Sequence, residues 1–212
     1  MHNALELIEP LPLKIIAPTH GPILRDRPAR YVKHYRELST SALSGEIGDN
    51  EKSLMIFYMS SYGNTARMAE EISEGASEVD GVRVSLYDLQ GGETDPFVDL
   101  IEEADALAFG SPTINGDAVK PVWDLLSSLA VVNLKGKIGG AFGSYGWSGE
   151  SVKQVAAELA AMAFSMIDPG PRLQYVPDGD GLAACIEYGK KIGEADADRL
   201  SDDALAIIEL LE

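Results

Sequence analysis

Leu54-Met55-Ile56-Phe57-Tyr58-Met59-Ser60-Ser61-Tyr62-Gly63-Asn64-Thr65 passes abruptly from an apolar run into a polar loop. An apolar run without alternation reads as a central parallel strand, buried on both faces. Beyond the loop, Ala69, Ile72, Ala76 and Val79 recur at helical spacing. The stretch is thus a strand, a turn and a helix, and the pattern repeats downstream. Val82, Val84 and Leu86 alternate as a second strand, and Ala104 to Phe109 gives a third, interrupted by Asp105. Val119, Val122, Trp123, Leu126 and Leu129 make an amphipathic helix. Ile138 to Phe142 is a glycine-rich fourth strand, followed by the helical stripe Val152, Val155, Ala156 and Leu159. Two segments compete for the fifth strand, Ala163 to Ile167 and Leu173 to Val176, with Pro169 and Pro171 between them. Leu182, Cys185, Ile186 and Ile192 mark a closing helix.

Strand–helix alternation implies parallel pairing with right-handed crossovers. The expected architecture is α/β, a doubly wound five-stranded parallel sheet in the order 2-1-3-4-5. In such sheets the loops after the strands converge at the carboxyl edge, where ligands bind.

Three loops fall there. In the first, Ser60, Ser61 and Thr65 supply hydroxyls, Asn64 an amide, Gly63 room for close backbone approach, and Tyr62 a ring. The helix that follows offers N–H groups and a positive dipole end, which suit a phosphate. The Gly-Lys-Ser/Thr of a nucleoside triphosphatase loop is absent, as is the dinucleotide glycine fingerprint. Neutral donors suit a monophosphate that is held rather than transferred. An ordinary N-capped turn accounts for the same residues equally well.

The second loop is Ser111-Pro112-Thr113-Ile114-Asn115-Gly116, with Thr113 and Asn115 able to bond a heterocycle's polar edge. A plain turn stiffened by Pro112 is its alternative reading. The third is Gly143-Ser144-Tyr145-Gly146-Trp147-Ser148-Gly149, whose glycines leave Tyr145 and Trp147 room against a planar ring. The alternative there is a surface or interface tryptophan. A flat ring with a phosphate tail describes a nucleotide, and FMN fits the three loops best. The site expected to hold it comprises residues 60–65, 111–116 and 144–149.

The bulk properties narrow the classes. The 212 residues suffice for one ordinary α/β domain with a remainder. The formal net charge of −17 argues against nucleic acid as a partner and suits a basic protein partner or simple solubility. No apolar run approaches the roughly 20 residues of a membrane helix, and the start lacks a signal-peptide pattern, so a cytoplasmic location is expected. Cys185 is the sole cysteine and lies in an apolar helical pattern, as a small core residue would.

Residues 1–45 stand apart. Leu13 to Ala17 reads as a short strand, Pro18 to Pro22 as a turn, and Asp26 as the cap of a helix that has Pro28 near its start and runs to about Leu38. The polar stretch Ser39 to Ser53 reads as a linker. Leu200 to Glu212 reads as an acidic helix begun by Ser201.

Residues 53 to about 194 resemble a short-chain flavodoxin domain. Ser61-Tyr62-Gly63-Asn64-Thr65 and Gly143-Ser144-Tyr145-Gly146-Trp147-Ser148-Gly149-Glu150 resemble the flavodoxin module of flavodiiron proteins, which are oxygen or nitric oxide reductases. In that family the module follows a metallo-β-lactamase-like domain holding two irons. Ile16-Ala17-Pro18-Thr19-His20-Gly21-Pro22-Ile23 is similar to the end of the diiron domain, and His20 matches the family's last histidine ligand. The domains implied are 1–45 with a linker to 52, a flavodoxin-like FMN domain over 53–196, and an acidic helix over 197–212. The upstream His-x-Glu-x-Asp motif is missing, and one imidazole does not hold a diiron centre. His20 is therefore a remnant or half of a site completed elsewhere, and no metal site is assigned.

The expected function is non-covalent FMN binding and electron transfer, without autonomous diiron chemistry. Open alternatives are the flavin component of a split oxygen or nitric oxide reductase, an FMN-dependent NAD(P)H or quinone oxidoreductase, and a non-enzymatic assembly role. Expected partners are a redox protein, rubredoxin-like or a diiron subunit. The resemblance implies head-to-tail dimers and leaves the oligomeric state of this chain open.

Overall fold

The computed structural model describes residues 7–8, 10–17, 23–39, 51–91, 95–168 and 170–195. The chain divides into two compact units, Met1–Glu46 and Ile47–Glu212. The turn at 18–22 with His20, most of the linker and the acidic helix lie outside the described residues.

In the first unit, Pro28 opens helix α1 (Pro28–Ser39), as its lack of a donor favours. The strand expected at Leu13 to Ala17 does not form. Pro12 has no N–H and Leu13 turns its own onto the Leu11 carbonyl at 2.8 Å, so only Ile16 bridges, antiparallel to Leu24. Asp26 lies 3.5 Å from the Arg27 guanidinium.

The second unit is built on β1 (Lys52–Tyr58), β2 (Val82–Asp88) and β3 (Ala106–Gly110), then a separate pair β4 (Thr113–Ile114) and β5 (Asp117–Ala118), then β6 (Ile138–Tyr145), β7 (Ser165–Met166) and β8 (Arg172–Gln174). The order of the main sheet is β2-β1-β3-β6-β7, with β8 also on β6. All pairings in the main sheet are parallel. This is the expected flavodoxin-like 2-1-3-4-5 sheet.

Both rivals for the fifth strand are used. Ser165 and Met166 pair with Ile138 and Gly139; Arg172 to Gln174 pair with Gly143 to Tyr145. The break between them carries Gly170, where a Cβ would stand 1.7 Å from the Ala141 carbonyl oxygen. Pairing with β8 also corrects the fourth strand. It runs on through Gly143, Ser144 and Tyr145, the first residues of the expected third loop. The third strand starts later than expected because Asp105 turns its carboxylate onto the Ser53 N–H at 2.8 Å and the Ser53 hydroxyl at 3.0 Å.

Helices α2 (Asn64–Ser77) and α6 (Gly179–Glu194) cover one face. Ile72, Ala76, Cys185, Tyr188 and Ile192 pack there on Leu54, Ile56, Ala106 and Ala108. The two helices touch backbone to backbone: a Cβ on Gly75 would lie 1.9 Å from the Ile186 carbonyl oxygen. On the other face Phe57 stacks with Tyr87 and Phe109 and meets Phe97 edge-on, at centroid separations of 5.0, 5.7 and 5.3 Å. Phe97 belongs to α3 (Asp95–Glu103), a helix absent from the sequence-based expectation although Phe97, Val98 and Ile101 recur at helical spacing. Helices α4 (Lys120–Ser128) and α5 (Ser151–Ala161) complete the unit.

Two lysines close helix ends at the amino edge of the sheet, where cations complement the dipole. Lys52 donates to the carbonyls of Ile192, Gly193 and Ala195, and Lys137 to those of Glu102 and Ala104. Burial pushes the Lys137 pKa down against the pull of Asp105, Glu102 and Glu103. The carboxyl edge is left to the loops.

Candidate functional site

The first loop leaves β1 at Tyr58 and enters α2 through Gly63. Gly63 holds φ 83°, a left-handed value that glycine adopts without strain, and no side chain caps the helix. The N-capped turn offered as the plain alternative is therefore not what forms. The first helical N–H groups are left to solvent or a ligand. Thr65 is buried, and its hydroxyl lies 2.9 Å from that of Ser144. Ser61 turns its hydroxyl toward the Met59 sulfur at 3.8 Å. Ser60 is 8% exposed, and its hydroxyl oxygen is buried without a hydrogen-bond partner among the described residues. A buried hydroxyl left unpaired costs about 1–3 kcal/mol. Burial raises the Tyr58 pKa, and Asp88 and Glu70 add to it.

The second loop is a small hairpin, β4 against β5. Asn115 and Gly116 sit between them at φ 55° and 75°. Positive φ at both central residues is what an Asn-Gly hairpin turn of the primed type requires. The hairpin is bolted to α5: Thr113 and Ser151 hydroxyls lie 2.8 Å apart, and Gln154 donates to the Gly116 carbonyl at 3.1 Å. Ser111 is fully engaged in holding the loop, donating to the Pro112 carbonyl at 2.8 Å and accepting from the Val119 N–H at 3.0 Å.

In the third loop Ser144 is buried, while Trp147 is 92% exposed. Gly149, at φ 73°, lies under the Tyr145 ring, which also has the Arg172 guanidinium 5.8 Å from its centroid. Glu150 keeps one carboxylate oxygen buried without a partner among the described residues. A hydrogen bond from Ser148 holds its pKa below the usual carboxylate value, aided by its own backbone N–H and by Arg172.

The three loops meet. One hollow of about 260 Å³ lies between Thr113, Asn115, Gly116, Gly146, Trp147 and Ser148. A second of about 210 Å³ lies between Ser61, Tyr62, Asn64, Pro112, Thr113, Ile114, Ser144, Tyr145, Gly146 and Tyr175. They share Thr113 and Gly146, and together they reach the size of a small-molecule site. Among the described residues, no charged side chain lines either hollow. Of the expected residues, Ser60, Gly63, Thr65, Ser111 and Gly149 are not part of this lining. Tyr175 is an addition: it follows β8, which sequence patterning did not connect to the loops.

The fit to a phosphorylated flat ring rests on chemistry visible here. An uncapped helix start and an orphaned hydroxyl sit beside a neutral hollow walled by Tyr62, Tyr175 and Trp147. The flavodoxin family profile matches residues 56–189. The chain belongs to the flavodoxin family. Membership implies FMN as the cofactor of the domain.

The type A flavoprotein fprA of Rhodobacter capsulatus is 51% identical over 95% of this chain and 45% of its own length. The flavo-diiron protein FprA2 of Clostridium acetobutylicum is 34% identical over 91% of this chain and 48% of its own. Among solved structures, rubredoxin oxygen:oxidoreductase from Desulfovibrio gigas aligns at a TM-score of 0.65 with 28% identity, covering 97% of this chain and 49% of that one. The flavodoxin domain is thus closely related to flavodiiron proteins, and the chain spans about half the length of the curated relatives it matches.

No three His, Cys, Asp or Glu side chains cluster as metal ligands among the described residues. No described helix is long and apolar enough to cross a membrane.

Proposed function

We propose that this flavodoxin domain binds FMN non-covalently and carries electrons between protein partners. The flavin supplies the redox chemistry when bound, and the chain binds, orients and shields it. Ser60, Ser61 and the open first turn of α2 hold the phosphate. Trp147 and Tyr145 offer ring faces, as does Tyr62. Thr113, Asn115 and the bare backbone of the third loop meet the polar edge of the ring system. Buried Thr65 and Ser144 fix the first and third loops to each other. The observation that carries this reading is the Ser60 hydroxyl, buried and unpartnered beside an uncapped helix start. The purified chain should show flavin absorption bands with about one FMN per chain. FMN added to the apo-protein should raise its melting temperature, since a ligand of the native state stabilises it. A colourless preparation that ignores added FMN overturns the reading.

A second reading concerns the longer assembly. The curated relatives are about twice as long as this chain, and residues 16–23 resemble the end of a diiron domain. Under this reading residues 1–45 belong to such a domain, His20 is one of its iron ligands, and the other ligands lie outside these 212 residues. The chain then serves the flavin half of an oxygen or nitric oxide reductase, with a diiron subunit and a rubredoxin-like protein as partners, in a cytoplasmic setting and as a homodimer. Co-purification with an iron-containing polypeptide and turnover of oxygen or nitric oxide by the pair would support it. Reductase activity without iron would refute it.

A further inference from the structure

Tyr175 holds a backbone conformation that its side chain does not favour. Its φ is 61°, in the left-handed region, where a bulky aromatic residue is strained. Two contacts maintain it: the Tyr175 N–H donates to the Tyr145 carbonyl at 2.8 Å, and the preceding Gln174 amide donates to the Gly146 carbonyl at 3.0 Å. The strained turn is therefore fastened to the third loop at adjacent residues. The ring gains little burial in return, being 61% exposed. It lies over Gly146, with its Cε1 3.8 Å from where a Cβ there would stand, and it lines the same hollow as Tyr62, Ser144 and Tyr145. A strained, exposed aromatic held at the lip of a hollow is placed for a ligand rather than for the core.

We propose that Tyr175 is a fourth wall of the cofactor site, presenting its ring to bound FMN from the second half of the split fifth strand. The inference rests on FMN occupying the three-loop hollow. Gln174 is the positioning residue, since it fixes the turn to Gly146 without lining the hollow. The split of the fifth strand acquires a purpose: β8 is carried far enough along β6 to deliver Tyr175 to the carboxyl edge.

The test is titration of the 212-residue apo-protein with FMN for the wild type, Tyr175→Gly and Tyr175→Phe, followed by flavin fluorescence and by the melting temperature of each apo form. Glycine relieves the left-handed strain, so apo Tyr175→Gly should melt at or above the wild-type temperature. Its FMN dissociation constant should nevertheless rise about five-fold or more, as loss of an aromatic contact predicts. Tyr175→Phe should stay within about two-fold of the wild type, because the ring is kept. An unchanged dissociation constant in Tyr175→Gly overturns the proposal, as does an equal loss in Tyr175→Phe. A wild type that does not bind FMN overturns the underlying reading instead.

Discussion

The hydroxyls of Thr65 and Ser144 lie 2.9 Å apart in a buried setting, although 79 positions separate them in the chain. Thr65 stands at the start of α2 and Ser144 near the end of β6. Their bond fixes the loop that follows β1 against the loop that follows β6, and so sets the width of the hollow between them.

Removing either partner leaves the other hydroxyl buried and unpaired. Thr65→Val and Ser144→Ala should each destabilise the fold by about 1–3 kcal/mol. The double variant should cost less than the sum, with a coupling of about 0.5–1.5 kcal/mol in a denaturant-unfolding cycle. Strict additivity would show that the two hydroxyls do not interact.

Ser60 behaves differently, because its hydroxyl has no partner to lose. Ser60→Ala should leave apo stability unchanged or raise it slightly, while FMN binding weakens. A hydrogen bond to a charged phosphate is worth about 1.5–3 kcal/mol, so a loss of about ten-fold or more in affinity is expected by titration. An apo form that melts well below the wild type would mean the hydroxyl already serves the fold.

The backbone contact of α2 with α6 leaves no room for a methyl group. Gly75→Ala would place Cβ 1.9 Å from the Ile186 carbonyl oxygen and force the helices apart. The expected cost is about 1–3 kcal/mol by urea unfolding, despite alanine's better helix propensity. A variant as stable as the wild type would show that this interface gives way freely.

Stability should fall on the alkaline side. Burial pushes the Cys185 thiol up to about 12 from an ordinary 9.0, and burial also raises the Tyr188 phenol, with its hydroxyl set against the Ala141 backbone. Above about pH 9 the unfolded chain releases protons that the folded chain retains, so stability is intact below that pH and declines as pH rises toward 12. Denaturant midpoints from pH 7 to 11 check the direction. A thiol reagent should label Cys185 at pH 8 only after unfolding.

The charge of the chain bears on the bound cofactor. With a formal net charge of −17 and, among the described residues, no charged side chain lining the hollows, negative charge gained by the flavin is opposed. The midpoint potential of the bound FMN should lie below that of free FMN in a redox titration. A higher value would show that local donors outweigh the acidic surroundings.

The sequence by itself determined the doubly wound sheet and most of its rim. Apolar runs at 54–59, 104–109 and 138–142, each followed by a polar loop, fix strand type and direction, because period and composition are local properties. Glycines and hydroxyls in those loops mark the candidate site for the same reason. What the tertiary structure decided depends on residues distant in the chain. Pairing with β8 drew Ser144 and Tyr145 into a strand. The Asp105 carboxylate delayed β3. Helix α3, by contrast, is written in the local pattern, since Phe97, Val98 and Ile101 recur at helical spacing. Above all, Tyr175 reaches the hollow only because two half-strands share β6 as their neighbour, and no local pattern records which strand a segment will pair with.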